Sequence, residues 1–276
     1  MNQKLLMLLL LLTVVPICNT AIAQSGKEVA IQQLAENKNW MGSGITNFDL
    51  SIIHFLQKFS RKNLAADEFV VFVSGTKLIK GGILMSALWW FWFLPGTQDS
   101  RKRKMLIILT LLAGLIALTV GRILVALFPF RQRPINSPEL HLTIPYGTNF
   151  DGIAKLSSFP SDHAVLFFAI STGIYFLSKK IGLLAYLYSF LFILFPRVYL
   201  CYHYPSDIIV GAFVGIAICY FTCTNSWMQY IAKKIYSFSE QKPQIFYAAF
   251  FLLSYEIIQL FEDLRDLITF AHHYII

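Results

Sequence analysis

Three short stretches hold most of the side chains able to do chemistry: Arg131-Gln132-Arg133-Pro134, Pro160-Ser161-Asp162-His163, and Arg197 followed by His203 and Asp207. Arginines suit anions, because a planar guanidinium fork matches two phosphate oxygens at once. His203 and Asp207 lie four residues apart around Pro205, so the carboxylate can hold one ring nitrogen while the other faces a cavity. A nucleophilic imidazole needs that support, since it becomes a cation as it attacks. Ser161 or Asp162 stands where a helix should begin, and a helix start offers unbonded N–H groups to an anion. Pro-Ser-Asp is equally an ordinary helix-start signal, and an acid at 207 an ordinary cap; His163 is the residue that capping leaves unexplained. These residue types fit a site that holds an anion with arginines beside an oriented histidine able to act as a nucleophile.

Competing chemistries lack their signatures. There is no HExxH, no CxxC and no cluster of three close ligands, so no metal and no other cofactor is expected. His54, His141, His272 and His273 read as loop or interfacial histidines. Four cysteines make no disulfide framework: Cys18 falls in a leader-like segment, and Cys219 and Cys223 read as packing. Cys201 lies near the motifs, with no local polar residue to activate its thiol.

Membrane-spanning helices must position these residues. Of 276 residues, 56% are hydrophobic and 14% charged, against about a quarter charged in a soluble domain. The composition excludes a disordered chain and opposes a soluble one. Residues 1–23 read as a signal peptide or anchor, with Lys4, an apolar stretch and Ala21-Ile22-Ala23. Residues 24–66 form an outer-face and interfacial segment with a weakly amphipathic stretch from Phe48 to Phe59, and residues 67–276 a membrane domain. Apolar runs are expected at Leu78–Leu94, Leu106–Phe128, Ala164–Leu177, Ile181–Phe195 and Ile208–Thr222, with Ile245–Leu260 either a last span or an interfacial helix. The expected fold is therefore all-α, a polytopic transmembrane bundle of about five or six spans.

The formal charge of +8 has an orientation. Arg101-Lys102-Arg103-Lys104, Lys179-Lys180 and Lys233-Lys234 with Lys242 fall in alternate loops, which the positive-inside rule makes cytoplasmic. Segments 129–163 and 196–207 then share the outer face. No basic stretch is interleaved with stacking aromatics in a polar module, so nucleic acid is not an expected partner. Arg131, Arg133 and Arg197 lie on the face where the rule disfavours them, which asks for an anionic ligand.

With these residues the chain resembles the type 2 phosphatidic acid phosphatase family, whose motifs are Lys-x6-Arg-Pro, Pro-Ser-Gly-His and Ser-Arg-x5-His-x3-Asp. Here they read Ala126-x6-Arg133-Pro134, Pro160-Ser161-Asp162-His163 and Pro196-Arg197-x5-His203-x3-Asp207, within a motif core of about 120–215. The resemblance implies that His203 attacks phosphorus, that Asp207 orients it, and that His163 protonates the leaving oxygen and later activates water. It makes Arg133, Arg197 and Ser161 phosphate ligands without a metal. The first-motif Lys is absent. Arg131 is the candidate replacement and Lys80, beside Lys77 at the outer end of a span, a second, although snorkelling also accounts for a lysine there. Asp162 replaces a glycine and Pro196 a serine. The implied activity is hydrolysis of a lipid phosphate or pyrophosphate, best undecaprenyl pyrophosphate, at the outer face of a bacterial cytoplasmic membrane. The alternative is a transporter or lipid-binding protein that recognises anionic headgroups; a vanadate-dependent haloperoxidase fits less well with so apolar a chain.

Overall fold

In hydrocarbon every backbone polar group must be bonded within its own segment, and the apolar runs accordingly form helices. The structure, a computed structural model, describes residues 45–95, 100–149, 157–264, 266, 267 and 270. The expected leader at 1–23 lies outside the described residues, as does 24–44.

Ten α-helices are described: α1 (Asn47–Gln57), α2 (Leu64–Gly75), α3 (Ile83–Phe93), α4 (Ser100–Leu127), α5 (Asp162–Leu177), α6 (Lys179–Tyr188), α7 (Phe195–Tyr199), α8 (Pro205–Thr224), α9 (Ser226–Gln241) and α10 (Pro243–Ile258). A π-helical turn, Leu78–Gly82, leads into α3, and a second, Ser189–Leu194, joins α6 to α7. Among the described residues there is no strand. Three helices are long and apolar enough to cross a membrane: Ser100–Leu127, the continuous Lys179–Tyr199, and Pro205–Thr224. The pair Leu64–Gly75 and Leu78–Phe93, bent by 61°, passes the same test together, and α5 and α10 are shorter apolar helices. The expected span at 78–94 is thus the second arm of a bent pair that begins at Leu64.

The chain's direction alternates so that the bundle has two unlike ends. At one, Lys104 at the start of α4 pairs with Glu240 of α9 at 3.6 Å, and Arg103 Nε donates to the Phe91 carbonyl at 2.8 Å. At the other, the loop after α4, the start of α5, the end of α7 and the start of α8 meet; the Ser161 N–H donates to the Asp207 carbonyl at 3.3 Å. Lys233 and Lys234 lie at the basic end as expected, but on the 16-residue helix α9 rather than in a loop, because Met228, Ile231 and Ala232 bury one face of it. From there α10 returns along α3: its Phe246 stacks on Trp92 near Lys104, and Ile258 packs against Gly81. The segment 245–260 therefore runs the depth of the bundle.

Close helix approach is what brings the motifs together. A Cβ at Gly215 of α8 would stand 2.2 Å from the Val165 carbonyl oxygen of α5, and one at Gly211 would stand 2.8 Å from the Ala164 Cβ. This Gly211-x3-Gly215 stripe lets α8 lie directly on the first turns of α5, as small residues do in membrane bundles. Outside that core, Leu183, Leu184, Phe190, Phe213, Phe221 and Phe251 are exposed on the flanks of the bundle. Such a surface belongs in lipid.

Candidate active site

Backbone bonds fold each motif onto the next. The Arg197 carbonyl accepts from the N–H groups of Tyr202 at 2.9 Å and His203 at 3.1 Å, so the five intervening residues close a tight turn that overlaps the end of α7. Cys201 sits in that turn at φ 58°, in the left-handed region. Burial pushes its thiol up to about 12 although Gln57 donates to Sγ, so Cys201 is a turn residue without thiolate chemistry. Ile135 N–H bonds to the Cys201 carbonyl at 2.9 Å, and Ser158 N–H to the Arg131 carbonyl at 2.9 Å. Segments 131–135, 157–161 and 197–203 are thereby tied side by side.

Within this frame the two histidines each face an arginine. Arg133 Nη1 lies 3.2 Å from His203 Nε2, and Arg197 Nη2 lies 2.8 Å from His163 Nε2. A guanidinium can only donate, so both Nε2 atoms carry a lone pair. His203 Nδ1 then holds the proton and donates to the Ser158 carbonyl at 2.8 Å. Asp207 Oδ2 is 3.6 Å from the same Nδ1, close enough to stabilise an imidazolium. The carboxylate is shared: Oδ2 also accepts from Tyr204 N–H at 2.8 Å, and Oδ1 pairs with Arg131. Burial and the Arg133 charge hold the His203 imidazole below its ordinary value of 6.5, with Asp207 pulling the other way. Burial brings Arg133 down to about 10, which leaves it a cation at neutral pH.

Several donors converge here without acceptors. Ser161 Oγ, Ser158 Oγ and Arg197 Nε are buried with no hydrogen-bond partner among the described residues. Buried donors normally find an acceptor, and phosphate oxygens would supply one to each.

Arg131 stands apart from Arg133. Its guanidinium binds Asp49 Oδ2 at 2.8 Å, Ser206 Oγ at 2.8 Å and the Asp207 carboxylate, and lies 4.2 Å over the Tyr204 ring. Asp49 in turn accepts from the Ser206 N–H at 2.9 Å. Burial pushes the Asp49 carboxyl up, but the bonds from Ser206, Thr46 and Arg131 outweigh it and hold the group below its usual range. The expected amphipathic stretch thus packs on the bundle as α1 and places a buried carboxylate beneath the site.

Asp49 was not legible as a functional residue. Its one sequence signal, Thr46 three residues before it, reads as a capping box, and α1 does have one. A clearer clue existed for Arg122, a lone cation inside the run Leu106–Phe128. It binds Asp162 at 2.7 Å, so the acid that replaces the motif glycine brings its own counter-ion. Among the described residues no group of three His, Cys, Asp or Glu side chains could hold a metal ion.

A helical membrane bundle with two arginine-backed histidines at one end defines a class, and the sequence comparisons agree: residues 104–231 match the model of the PAP2 superfamily. Among its relatives is the undecaprenyl-diphosphatase BcrC of Bacillus subtilis (strain 168), 29% identical over 167 residues that make up 60% of this chain and 78% of that protein. The bacitracin transport permease protein BcrC of Bacillus licheniformis is 30% identical over 115 residues, 42% of this chain and 53% of the relative. The lipid A 1-diphosphate synthase of Escherichia coli (strain K12) is 28% identical over 186 residues, 62% and 72% of the two chains. No solved structure matches the chain.

Proposed function

We propose that this membrane protein is a lipid phosphatase that removes the terminal phosphate of a polyprenyl diphosphate, undecaprenyl pyrophosphate being the best-supported substrate. The observation that carries the reading is the pairing of His203 Nε2 with Arg133 and of His163 Nε2 with Arg197 at one end of an apolar bundle. The similarity to a protein named undecaprenyl-diphosphatase supports the choice of lipid.

Each step follows from an atom already placed. His203 Nε2 attacks the terminal phosphorus; the N–P bond forms as the bridging P–O bond breaks, and its electron pair leaves on the lipid monophosphate. Asp207 and the Ser158 carbonyl face Nδ1–H and stabilise the cation that forms. Arg133 and Arg197, with the Ser158 and Ser161 hydroxyls, hold the phosphoryl oxygens as charge moves onto them. His163 Nε2 then takes a proton from water, whose oxygen displaces nitrogen from phosphorus, freeing inorganic phosphate and neutral His203; His163 passes that proton to the departing phosphate or to solvent and is neutral again. No step calls for a metal. Arg131 acts indirectly, fixing the Asp207 carboxylate. The basic end, with Arg101 to Lys104 and Lys179-Lys180, supports an orientation that faces the site outward from a bacterial cytoplasmic membrane.

Purified protein in detergent is expected to release phosphate from a polyprenyl diphosphate in the presence of EDTA, and sealed outward-facing vesicles to act on externally added substrate. His203→Ala should lower turnover by about three orders of magnitude or more. Unimpaired lipid binding without hydrolysis of any lipid phosphate would favour a headgroup-binding transporter, and EDTA inhibition a metal enzyme.

A further inference from the structure

Two lysines, Lys77 and Lys80, occupy the bend between α2 and α3, and their surroundings differ. Lys77 is matched: its ammonium lies 3.6 Å from Glu262, 3.5 Å from Asp263 and 2.6 Å from Gln259 Oε1. Lys80 is half-buried, and among the described residues its ammonium makes no hydrogen bond or ion pair. Snorkelling would carry the charge out to water, yet Lys80 stays half-buried, and the carboxylate whose charge favours it, Glu262, is already paired with Lys77.

The backbone that carries Lys80 is clamped on both sides. The Ile79 carbonyl accepts from the Tyr188 hydroxyl, and Gly81 packs so closely that a Cβ there would stand 3.1 Å from Ile258 of α10. One turn earlier, the Ser74 carbonyl accepts from Arg197 Nη2 at 3.4 Å. The π-helical turn Leu78–Gly82 thus holds a half-buried cation without a hydrogen bond or ion pair among the described residues, next to the segment that bonds Arg197, a use of π-helical turns seen at functional sites.

Resting on the phosphatase reading, we propose that Lys80 binds the lipid-proximal phosphate of the diphosphate, the one that leaves, and so gives the enzyme its preference for diphosphates over monophosphates. Two observations place it on the leaving side. The Arg197 Nη2 that bonds the Ser74 carbonyl, just before the Lys80 turn, also lies 2.8 Å from His163 Nε2, whereas His203 faces Arg133. The lipid chain stays with the leaving phosphate, and an apolar crevice of about 360 Å³ opens one turn below Lys80, between α3 and α6. Ile83, Leu84, Leu184 and Leu191 line it, and Tyr188 links its wall to the Lys80 turn. A monophosphate hydrolysed by the same His203 would present a neutral alcohol oxygen there, with far less use for an ammonium.

The test is a substrate pair: one polyprenyl diphosphate and the monophosphate of the same alcohol, assayed with wild type, Lys80→Met, Lys80→Arg and Lys77→Met in detergent. Lys80→Met is expected to lower kcat/KM for the diphosphate about tenfold or more beyond any loss on the monophosphate. Lys80→Arg should restore much of it, and Lys77→Met should leave the substrate ratio near that of wild type. Equal losses on both substrates, no loss, or the same selective loss from Lys77→Met would overturn the assignment while leaving the phosphatase reading standing. Thermal unfolding in detergent separates these outcomes from misfolding, and Lys80→Arg carries the test if Lys80→Met is unstable. Wild type inactive on every lipid phosphate would instead overturn the reading beneath it.

Discussion

With Nδ1 of His203 donating to Ser158 and Nε2 accepting from Arg133, the imidazole is neutral, the form that the proposed attack requires once phosphate draws Arg133 away from Nε2. Burial and Arg133 lower its pKa, so the acid limb of the kcat/KM profile should lie below the ordinary 6.5. Asp207 raises that pKa, so Asp207→Asn should move the limb further down while lowering kcat; a limb at or above 6.5 in wild type would contradict this placement. The same shift lowers stability as pH falls from 6.5 toward the folded value, because the unfolded chain binds the proton first. Arg131 makes a different prediction from Arg133. Arg131→Met strands two buried carboxylates, Asp49 and Asp207, and should cost about 3–5 kcal/mol in unfolding measurements, with Asp49→Asn recovering part of it. A raised KM with unchanged stability would instead make Arg131 a phosphate ligand. From the sequence both arginines stood out as cations against the orientation rule, but which one meets the anion depends on Asp49, 82 residues earlier, and no local pattern announces that contact.

At the scale of elements, the site is only as precise as the seating of α8 on α5. Gly215→Leu would drive a side chain into the Val165 carbonyl, 2.2 Å from where its Cβ must go, and a backbone atom cannot step aside as a flexible side chain can. The expected result is loss of phosphatase activity with a stability cost of about 1–3 kcal/mol or more, read by turnover and by thermal unfolding. Full activity in that variant would remove the Gly211-x3-Gly215 contact from the account. The helices themselves were legible from apolar run length, and the starts of α5 and α8 from Ser161 and Pro205. The bend before Leu78 was not: Leu78 to Leu94 reads as one span by itself, whereas Leu64–Gly75 and Leu78–Phe93 form a pair bent by 61°, and the π-helical turn that opens the second arm is held by Ile258 and Tyr188, distant in sequence. Lys233 and Lys234 mark a loop by charge alone, and the narrow apolar face that makes Ser226–Gln241 a helix is masked by such residues.

Across the whole molecule, charge is sorted by end. Clustered lysines and arginines gather where α4 and α6 begin, while Arg133, Arg197 and the two histidines occupy the opposite end, above flanks of exposed leucine and phenylalanine. A lipid fits such a body with its chain among the flanks and its phosphates at the polar end. The central claim is that a phosphoryl group passes through His203. It is tested most directly by mixing the full-length protein with a polyprenyl diphosphate labelled in its terminal phosphate, then quenching rapidly at high pH, where phosphohistidine survives. The label should appear on wild type at His203, persist longer in His163→Ala because water is no longer activated, and be absent from His203→Ala. Label retained in His203→Ala, or hydrolysis by wild type with no labelled protein at any time, would contradict the account.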